Sequence, residues 1–349
     1  MRFADGFARE FKDAVTPRAA LLVIGVLALQ LLFIASYVGA LHSPKPKDVP
    51  FGVVGPTAAV AQQTEQQLAK LSGSPLDPRV VSDAATAKRK ILDREIDGAL
   101  ILNARGTTDT LLVASGGGTV LASALENLAG EIDATQQRTI RAVDVAPASA
   151  KDFDGLSAFY LVVGWCVGGY LCASIMSISA GSKPTSPPRA LIRLGTMALV
   201  AIAGGIGGSL IIGDSILGAL PGSFWGLAGL GALVTFAVGA LTLALEELTG
   251  IVGIGLAVLV VVVAGNPSAG GAFPLPMLPP FWQAIGPWLP PGAGTWAARS
   301  IAYFHGNAMT RSLLVLAAWA VLGMAVTLLV SAWREKKRAT STPPEPAPL

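Results

Sequence analysis

Long apolar runs with almost no charge are the feature that most restricts how this chain can fold. Residues 19–41 contain no acidic or basic side chain, and they match the roughly 20 residues that a helix needs to cross a bilayer core of about 30 Å. Only 13% of all residues are charged, whereas a soluble domain has about 25%. The sequence therefore predicts an integral membrane protein that has the lipid bilayer as a partner, with residues 19–41 as its first span.

Four more apolar stretches predict another five spans within residues 157–338. The stretch from 191 to 245 is far longer than one crossing, and the sequence GDSILGALPG interrupts it, so it must fold as two spans. The predicted spans two to six are residues 157–180, two helices within 191–245, residues 248–265 and residues 309–333.

Charged residues indicate where the spans end. Glu246 and Glu247 separate the fourth span from the fifth, and a carboxylate at the bilayer centre would cost about 2.5 to 3.5 kcal/mol, so the pair is predicted at a membrane boundary. With both termini in the cytoplasm, the short external loops keep only Arg299 and Arg311, as the positive-inside rule requires. No charge pair is expected within the spans, which counts against a proton-driven carrier. The sequence thus predicts a multi-pass protein of a bacterial plasma membrane, with residues 42–156 outside the cell.

Residues 42–156 have the composition of a water-soluble, mixed α/β domain. The sequence PFGVVG predicts a buried strand, and Thr57 is expected to cap the helix that follows it. A second short strand, a helix capped by Ser82 or Asp83, and a hairpin formed by GALIL and TLLVA are predicted next. Gly116-Gly-Gly then leads into another amphipathic helix.

No cofactor site or catalytic cluster is predicted in this domain. Its glycine run invites a phosphate-binding interpretation, because free amides at a helix start attract anions. However, GGGTV lacks the ending of a P-loop and the spaced glycines of a dinucleotide fold, and a plain turn is the alternative. The domain has no cysteine, and its histidine, His42, lies at the membrane boundary. We therefore expect no cofactor, no metal, no nucleic acid partner and no enzymatic activity.

Residues 266–294 form a proline-rich and aromatic segment before the last span. Its prolines forbid one continuous helix, because each removes a backbone donor and clashes with the preceding turn. Aromatic rings favour the membrane interface, so the segment is predicted to be interfacial or re-entrant. An apolar loop that covers the end of the helical bundle is the alternative. Phe281, Trp282 and Trp288 are the candidate residues of an outer exit.

Glycine and cysteine positions add predictions about helix packing. Glycines spaced by four residues allow another helix to approach closely. Cys166 and Cys172 lie on different faces of the second span, so we expect no disulfide between them. The glycine pairs predicted to lie at helix contacts are Gly164 with Gly168 and Gly204 with Gly208.

The two ends of the chain are predicted to lie outside the bundle. Residues 1–18 alternate phenylalanines with charged residues, which is typical of an amphipathic interfacial helix on the membrane surface. Residues 339–349 are rich in proline and small polar residues, which predicts a disordered cytoplasmic tail.

The most specific motif extends over residues 265–306, where a glycine and proline start is followed by PLPMLPPFWQAIGPWLPPG and then by ARSIAYFHG. FGVV soon after the first span and DGALIL in the domain accompany it. With one span, an external domain and five further spans, the chain resembles the ABC-2 type membrane-subunit architecture, and more narrowly it looks like the YhgE/Pip group and the related DUF3533 proteins. The resemblance implies an all-α polytopic membrane bundle of six transmembrane helices with an inserted mixed α/β extracytoplasmic domain.

The same resemblance implies a homodimer that is driven by a separate cytoplasmic ATPase. In ABC-2 exporters the ATPase contacts the loop between the second and third spans, which makes Lys183, Arg189 and Arg193 the candidate coupling residues here. A short basic stop between two helices explains these residues equally well. The chain has no Walker motif, so any ATP hydrolysis would come from the partner subunit.

Two functions follow from these patterns. The first is a permease that exports an amphipathic, lipidic or toxic compound as a dimer. The second is a non-transporting membrane scaffold, whose external domain binds cell-envelope or secretion partners. The broken, aromatic segment at residues 266–294 favours the permease, because a simple anchor needs neither six spans nor such a segment.

Overall fold

The computed structural model describes residues 16–181 and 186–341, without the side chains of Arg18, Ala339 and Ser341. The predicted surface helix at residues 1–18 lies almost wholly outside these described residues. Most of the predicted tail, residues 339–349, and Lys183 of the basic loop lie outside them as well.

Helix α1 (Pro17–Leu41) is the first of five helices in the described residues that are long and apolar enough to cross a membrane. The Thr16 hydroxyl accepts a hydrogen bond from the Ala19 amide at 3.2 Å, and Pro17 begins the helix where no donor is needed. Only 6% of its most apolar window is buried within the chain. Most of the helix surface is therefore available for lipid or for another subunit.

A five-stranded mixed sheet follows α1, with the strand order β2-β1-β3-β4-β5. Neighbouring strands run parallel except for β3 and β4, which form an antiparallel pair. The elements of this sheet domain are β1 (Val49–Val54), α2 (Ala58–Ala69), β2 (Leu76–Val80), α3 (Ala84–Leu92), β3 (Gly98–Ile101), β4 (Thr108–Val113), α4 (Thr119–Thr135) and β5 (Thr139–Asp144).

Alternation along β1 gives the sheet two buried faces. Val49, Phe51 and Val53 point to the face that α2 and α4 cover, where they pack with Leu68 and Leu125. On the other face, Val54 packs with Ala87 and Ile91 of α3. Helices on both faces are the arrangement expected for strands that are mostly parallel.

The local predictions for this domain agree well with the structure. Thr57 caps α2, Asp83 rather than Ser82 caps α3, and the predicted hairpin is the antiparallel pair of β3 and β4. The sequence does not predict β5, because TIRAVD lacks an apolar alternation and five of its six residues are exposed. This strand is held by its pairing with β4 and by contact with α4.

The remaining chain is helical. The bundle contains α5 (Ser157–Ala180), α6 (Pro187–Ile212), α7 (Phe224–Thr249), α8 (Val252–Ser268) and α11 (Thr310–Ser341), and the shorter α9 (Pro280–Ile285) and α10 (Pro290–Tyr303) lie between the last two. The protein is thus mostly helical, with five helices of membrane-crossing length and a small mixed α/β domain. These are the features of a multi-pass membrane protein.

Helix α7 is the centre of the bundle, since 78% of its most apolar window is buried. Helices α5, α6, α10 and α11 all pack against it. Close approach to α7 depends on glycine: a Cβ atom at Gly205 of α6 would lie 2.3 Å from the Ala228 carbonyl oxygen, and one at Gly169 of α5 would lie 2.6 Å from that of Thr235. Small residues at helix contacts are what packing in lipid favours.

The four glycines predicted at helix contacts differ in their surroundings. Within the described chain, no atom lies within 4 Å of the Cβ position of Gly164 or Gly168, and the nearest atom to that of Gly204 is 3.9 Å away. A Cβ at Gly208, by contrast, would lie 2.5 Å from the Trp165 ring nitrogen. A role of Gly164 and Gly168 in contacts between subunits stays a prediction.

Three sequence predictions need correction. The chain predicted as the fifth span, residues 248–265, divides between the end of α7 and the shorter helix α8, whose middle part, Leu259–Gly265, is wound as a π-helix. Arg299, expected in a loop, is only 4% exposed and lies within α10. A charge pair does join two candidate spans, because an Arg334 nitrogen lies 2.6 Å from a Glu247 carboxylate oxygen. Glu247, predicted at a membrane boundary, is fully buried near the end of α7.

We predict that Gly205→Ala destabilises the protein, because its new methyl group meets the backbone of α7, and such overpacking costs about 1 to 3 kcal/mol. Gly207→Ala on the same helix is the matched control, since nothing lies within 4 Å of its Cβ position. Thermal unfolding in detergent should show a lower melting temperature for Gly205→Ala only. Equal melting temperatures for the two variants would contradict the observed approach of α6 to α7.

Candidate functional site

A cavity of about 250 Å³ lies where the sheet domain meets the chain between α8 and α10. Charged groups from both sides face it, and prolines, glycines and an indole ring complete its wall. The cavity is lined by Asp48, Pro50, Arg94, Glu95, Asp97, Gly117, Ala269, Gly270, Pro274, Leu275, Pro276, Gln283, Gly292, Thr295, Trp296 and Arg299.

Arg94 connects the sheet domain to α10. It follows α3 in a left-handed conformation, with φ of 58°, and this turn directs its side chain towards the bundle. Its guanidinium group stacks on the Trp296 ring at 3.4 Å and donates hydrogen bonds to the Trp296 carbonyl at 2.9 Å and to the Ser300 hydroxyl at 2.8 Å. Asn307 donates to the Leu92 carbonyl at 3.1 Å, so the end of α3 is held at a second point.

Arg299 binds the cavity wall from the bundle side. It donates to the carbonyl oxygens of Gly270 at 2.7 Å, Gly271 at 2.7 Å and Gly155 at 3.0 Å, and its buried Nε atom has no hydrogen-bond acceptor. Gly155 and Gly270 have φ of 67° and 70°, which glycine adopts at little cost and which turns their carbonyl groups towards the guanidinium. The unbonded Nε donor leaves the polar wall incompletely satisfied.

Asp152 is the nearest acidic partner of this arginine. It is 2% exposed, accepts a hydrogen bond from the Tyr303 hydroxyl at 2.6 Å and also accepts one from the Ser157 amide at 2.7 Å, which begins α5. The negative charge of Asp152 favours the charged form of Arg299. The junction therefore holds a buried cation and anion, each with several hydrogen bonds, as buried charges require.

Two groups on the sheet-domain side of the cavity have shifted pKa values. Burial lowers the pKa of Arg94 to about 9, and the positive charge of Arg299 adds to this effect, so Arg94 remains charged at neutral pH. Burial raises the pKa of Asp97 to about 6, although the charge of Arg94 opposes the shift. The cavity is thus lined by two guanidinium groups and three carboxylates, of which Asp97 titrates close to neutral pH.

The glycine run of the sheet domain lies against the same junction. The amides of Gly116, Gly117 and Gly118 donate to carbonyl groups of Ala146, Ala114 and Ser115, so they are not free to bind a phosphate. A Cβ atom at Gly116 would lie 2.5 Å from the Tyr303 ring, and one at Gly118 would lie 2.2 Å from Pro274. The run is a turn, and its glycines allow the domain to approach the bundle closely.

The candidate exit residues lie beside this junction and not within it. Phe281 and Trp288 are 62% and 57% exposed, whereas Trp282 is half-buried and meets Phe281 edge-on, with ring centroids 5.0 Å apart. Trp288 lines an open apolar groove along α11, together with Arg311 and Trp319. The groove has a volume of about 800 Å³. The two exposed rings do not cover the bundle, although residues 290–295 of the same segment are buried.

The basic loop between α5 and α6 presents its arginines differently. Arg189 is exposed, whereas Arg193 is 8% exposed and donates to the carbonyl oxygens of Ala180 at 3.2 Å and Gly181 at 2.5 Å. Arg193 therefore binds the C-terminal carbonyl groups of α5, where a cation is favoured. Of the three candidate coupling residues, Arg189 is the one that the described structure presents to solvent.

Sequence patterns do not reveal most of this site. Arg94 and its partner Trp296 are 202 positions apart in the sequence, and no local pattern links them. Arg299 carries a stronger signal, because an arginine between small residues of a buried helix needs partners. Its three carbonyl acceptors belong to the backbone, however, and every residue type has such a carbonyl group. The sequence therefore does not show which residues bind Arg299.

Among residues 16–181 and 186–341, no group of three or more histidine, cysteine or acidic residues is placed to hold a metal ion, and both cysteines are free thiols. Comparison of the chain with protein-family models, with curated proteins and with solved structures gives no match.

Proposed function

We propose that this protein is a permease-like membrane subunit that exports an amphipathic, lipidic or toxic compound. The observation that carries the proposal is the cavity between the sheet domain and the bundle, which combines two guanidinium groups and three carboxylates with an apolar wall. Ligand sites in proteins are typically clefts with a mostly apolar lining and a few placed polar groups. The cavity is large enough for the polar end of an amphipathic molecule.

The guanidinium groups of Arg94 and Arg299, on the two walls of the cavity, favour a substrate with an anionic end. Of the three carboxylates that also line it, Glu95 is paired with Lys90 at 2.5 Å, and burial favours the neutral form of Asp97. Arginine suits the binding of carboxylate and phosphate groups because its planar fork of donors matches their geometry. The face of Trp296 and the side chain of Leu275 supply apolar contact beside these groups.

The apolar end of such a molecule fits the groove on α11. This groove is almost wholly apolar, and Arg311, which stacks on Trp288 at 4.5 Å, lies at its edge. Trp319 donates a hydrogen bond to the Trp288 carbonyl at 2.8 Å, so the exposed rings are fixed to the helix. In this proposal Phe281 and Trp288 form the exit surface at the membrane interface, where aromatic rings are favoured.

The proposal includes six spans, with both termini in the cytoplasm and residues 42–156 outside. The six spans are the five long helices and α8. The ends of α6 and α7 joined by residues 213–223 are on the same side as the sheet domain, since a Cβ at Gly222 would lie 2.6 Å from the Ile301 carbonyl oxygen in α10. The basic end of α11 is then on the cytoplasmic side, as the positive-inside rule requires.

The likeness in layout to ABC-2 type membrane subunits, including the YhgE/Pip and DUF3533 proteins, supports a homodimer and a separate cytoplasmic ATPase as further parts of the proposal. The exposed apolar surface of α1 is large enough to contact a second subunit. Arg189 is exposed beside the loop at residues 181–186, where an ATPase would bind.

A second candidate function is a membrane scaffold, and strand β5 is the observation that favours it. This strand lies at the edge of the sheet and is mostly exposed. Thr139 and Val145 direct their amides to β4, so alternate amides in between point away from the sheet. An exposed edge of this kind can add a strand from a partner protein.

The topology is tested with single cysteines in a background without Cys166 and Cys172. Ser74 is exposed in the sheet domain, and Glu335 is exposed near the far end of α11. We expect Ser74→Cys to react with an impermeant thiol reagent on intact cells and Glu335→Cys to react only after lysis. Labelling of Glu335→Cys on intact cells would exclude the proposed orientation.

Export is tested by blocking the cavity and measuring dye efflux from cells. Gln283 lines the cavity, whereas its neighbour Ala284 in α9 is exposed. We expect Gln283→Trp to slow the efflux of an anionic anilinonaphthalene dye by about tenfold, which corresponds to about 1.4 kcal/mol of lost binding. Ala284→Trp adds the same ring outside the cavity and should leave efflux unchanged.

The same measurement separates the two functions. If the protein is a permease, dye efflux is faster from cells that contain it than from cells that lack it. If Gln283→Trp and Ala284→Trp slow efflux equally, the dye does not pass through the cavity. Efflux that does not depend on the protein at all would favour the scaffold. Melting temperatures of both variants show whether a slow efflux reflects only a loss of folded protein.

A further inference from the structure

Two pairs of ionisable side chains lie at the end of the bundle that is farthest from the sheet domain. Arg193 comes from α6, Glu246 and Glu247 from the last turns of α7, and Arg334 from α11. Both glutamates are fully buried. Ionisable residues within membrane spans are costly and usually functional, so each of these groups needs a partner or a role.

Glu247 has a structural partner. An Arg334 nitrogen lies 2.6 Å from its carboxylate, and Arg334 also donates to the Glu247 backbone carbonyl. The pair joins α7 to α11 near the end of both spans. A buried pair that is so closely hydrogen-bonded holds two helices together.

Glu246 is bonded less completely. One carboxylate oxygen accepts a hydrogen bond from the Ser177 hydroxyl of α5, while the other, Oε1, is buried and has no hydrogen-bond partner. Arg193 is the neighbouring cation whose charge acts on it, but the Arg193 hydrogen bonds go to Ala180 and Gly181 at the end of α5. Glu246 therefore lacks the direct ion pair that Glu247 has.

Opposing effects act on the charge of Glu246. Burial of a carboxylate with an unbonded oxygen penalises the ionised form, whereas the charge of Arg193 and the hydroxyl of Ser177 stabilise it. The groups that act on the Glu246 side chain are Ser177 from α5 and Arg193 from α6, and Gly253 of α8 packs against the Glu246 backbone. Arg334 of α11 is bonded to the neighbouring Glu247. When Glu246 and Arg193 are both ionised their charges cancel, and one added proton leaves a net positive charge.

Glu246 also touches the helices that would have to move during transport. A Cβ atom at Gly253, near the start of α8, would lie 2.4 Å from the Glu246 backbone nitrogen. Its side chain is bonded to α5 and lies in the field of Arg193 on α6. A change in the charge of this one carboxylate thus alters the forces among α5, α6, α7 and α8.

We propose that Glu246 is a proton-binding site, filled from the membrane face opposite the sheet domain, and that the proton bound there controls the conformational step of export. The proton passes from water on that face to the Glu246 carboxylate and returns to water on the same face, so it does no net work and no bond to substrate is made. The control of export rests on the proposed function, whereas the proton binding does not. The rate of export then depends on the pH at that face.

Proton binding is tested by infrared titration of the purified, full-length protein in lipid nanodiscs. Protonation of Glu246 should contribute a carbonyl stretch that appears and disappears reversibly as the pH is changed. This contribution should remain when the titration of Glu246→Gln is subtracted from that of the wild type, because Asp97 and the other carboxyl groups titrate in both proteins. It should cancel when the wild type is subtracted from Glu335→Gln apart from the exposed acid that this variant lacks. A Glu246→Gln titration identical to that of the wild type would overturn the proposal.

A second variant keeps the test decisive if Glu246→Gln does not fold. Ser177→Ala retains the carboxylate but removes the hydrogen bond to its ionised form, so the midpoint of the band should move to higher pH. If the band belongs to a carboxyl group other than Glu246, removal of the Ser177 hydroxyl leaves its midpoint unchanged. An unchanged midpoint would therefore overturn the proposal.

Coupling is tested separately, with the anilinonaphthalene dye in proteoliposomes that contain only this chain. At a fixed dye gradient, lowering the pH at the face opposite the sheet domain should change the rate of dye movement at least about tenfold in the wild type and leave Glu246→Gln unchanged. If cells export the dye but this pH has no effect in proteoliposomes, proton control is overturned and the exporter proposal stands. If cells do not export the dye while the infrared band titrates as expected, the exporter proposal fails and the proton site remains.

Discussion

The structure depends on the way in which Arg299 is neutralised and hydrogen-bonded inside the protein. Its guanidinium group joins the start of α5, through Gly155, to the end of α8, through Gly270 and Gly271, and Asp152 supplies the opposite charge. A buried cation costs several kcal/mol unless its geometry and hydrogen bonds compensate. The segment before α10 is therefore fixed by its backbone carbonyl groups, and the sheet domain can bind to a defined surface.

Two polar clusters at opposite ends of α7 and its neighbours give the molecule its functional asymmetry. Near the sheet domain, Arg94 and Arg299 line a cavity together with Asp48, Glu95 and Asp97, and we propose that this cavity binds the polar end of an amphipathic compound. At the far end, Glu246 has a buried carboxylate oxygen without a hydrogen bond, and Glu247 forms an ion pair with Arg334. Between them the helices meet through small residues that permit close approach. In our proposals, substrate binds at one end of this bundle and a proton at the other.

The sequence predicts those parts of the structure that depend on local or periodic features. Apolar runs predict the five long helices, and Thr57 and Asp83 predict the starts of two helices in the sheet domain. The segments GALIL and TLLVA predict the hairpin. Each of these signals lies within a single element or between two neighbouring ones. Strand β5 has no such signal, since it is mostly exposed and is held by pairing with β4 and by contact with α4. The site could not be predicted because Arg94 meets Trp296 only after folding, and because Arg299 binds carbonyl groups that every residue possesses.

The most direct test of this account is hydrogen exchange in Arg299→Lys compared with Arg311→Lys, the exposed arginine that stacks on Trp288. Lysine keeps the charge but lacks the planar fork that reaches three carbonyl groups. We predict that amides of residues 266–303 exchange at least about tenfold faster in Arg299→Lys, a loss of about 1.4 kcal/mol in local stability, while those of α6 and α7 do not change. Exchange at residues 266–303 that is the same in both variants and in the wild type would contradict the central role of Arg299.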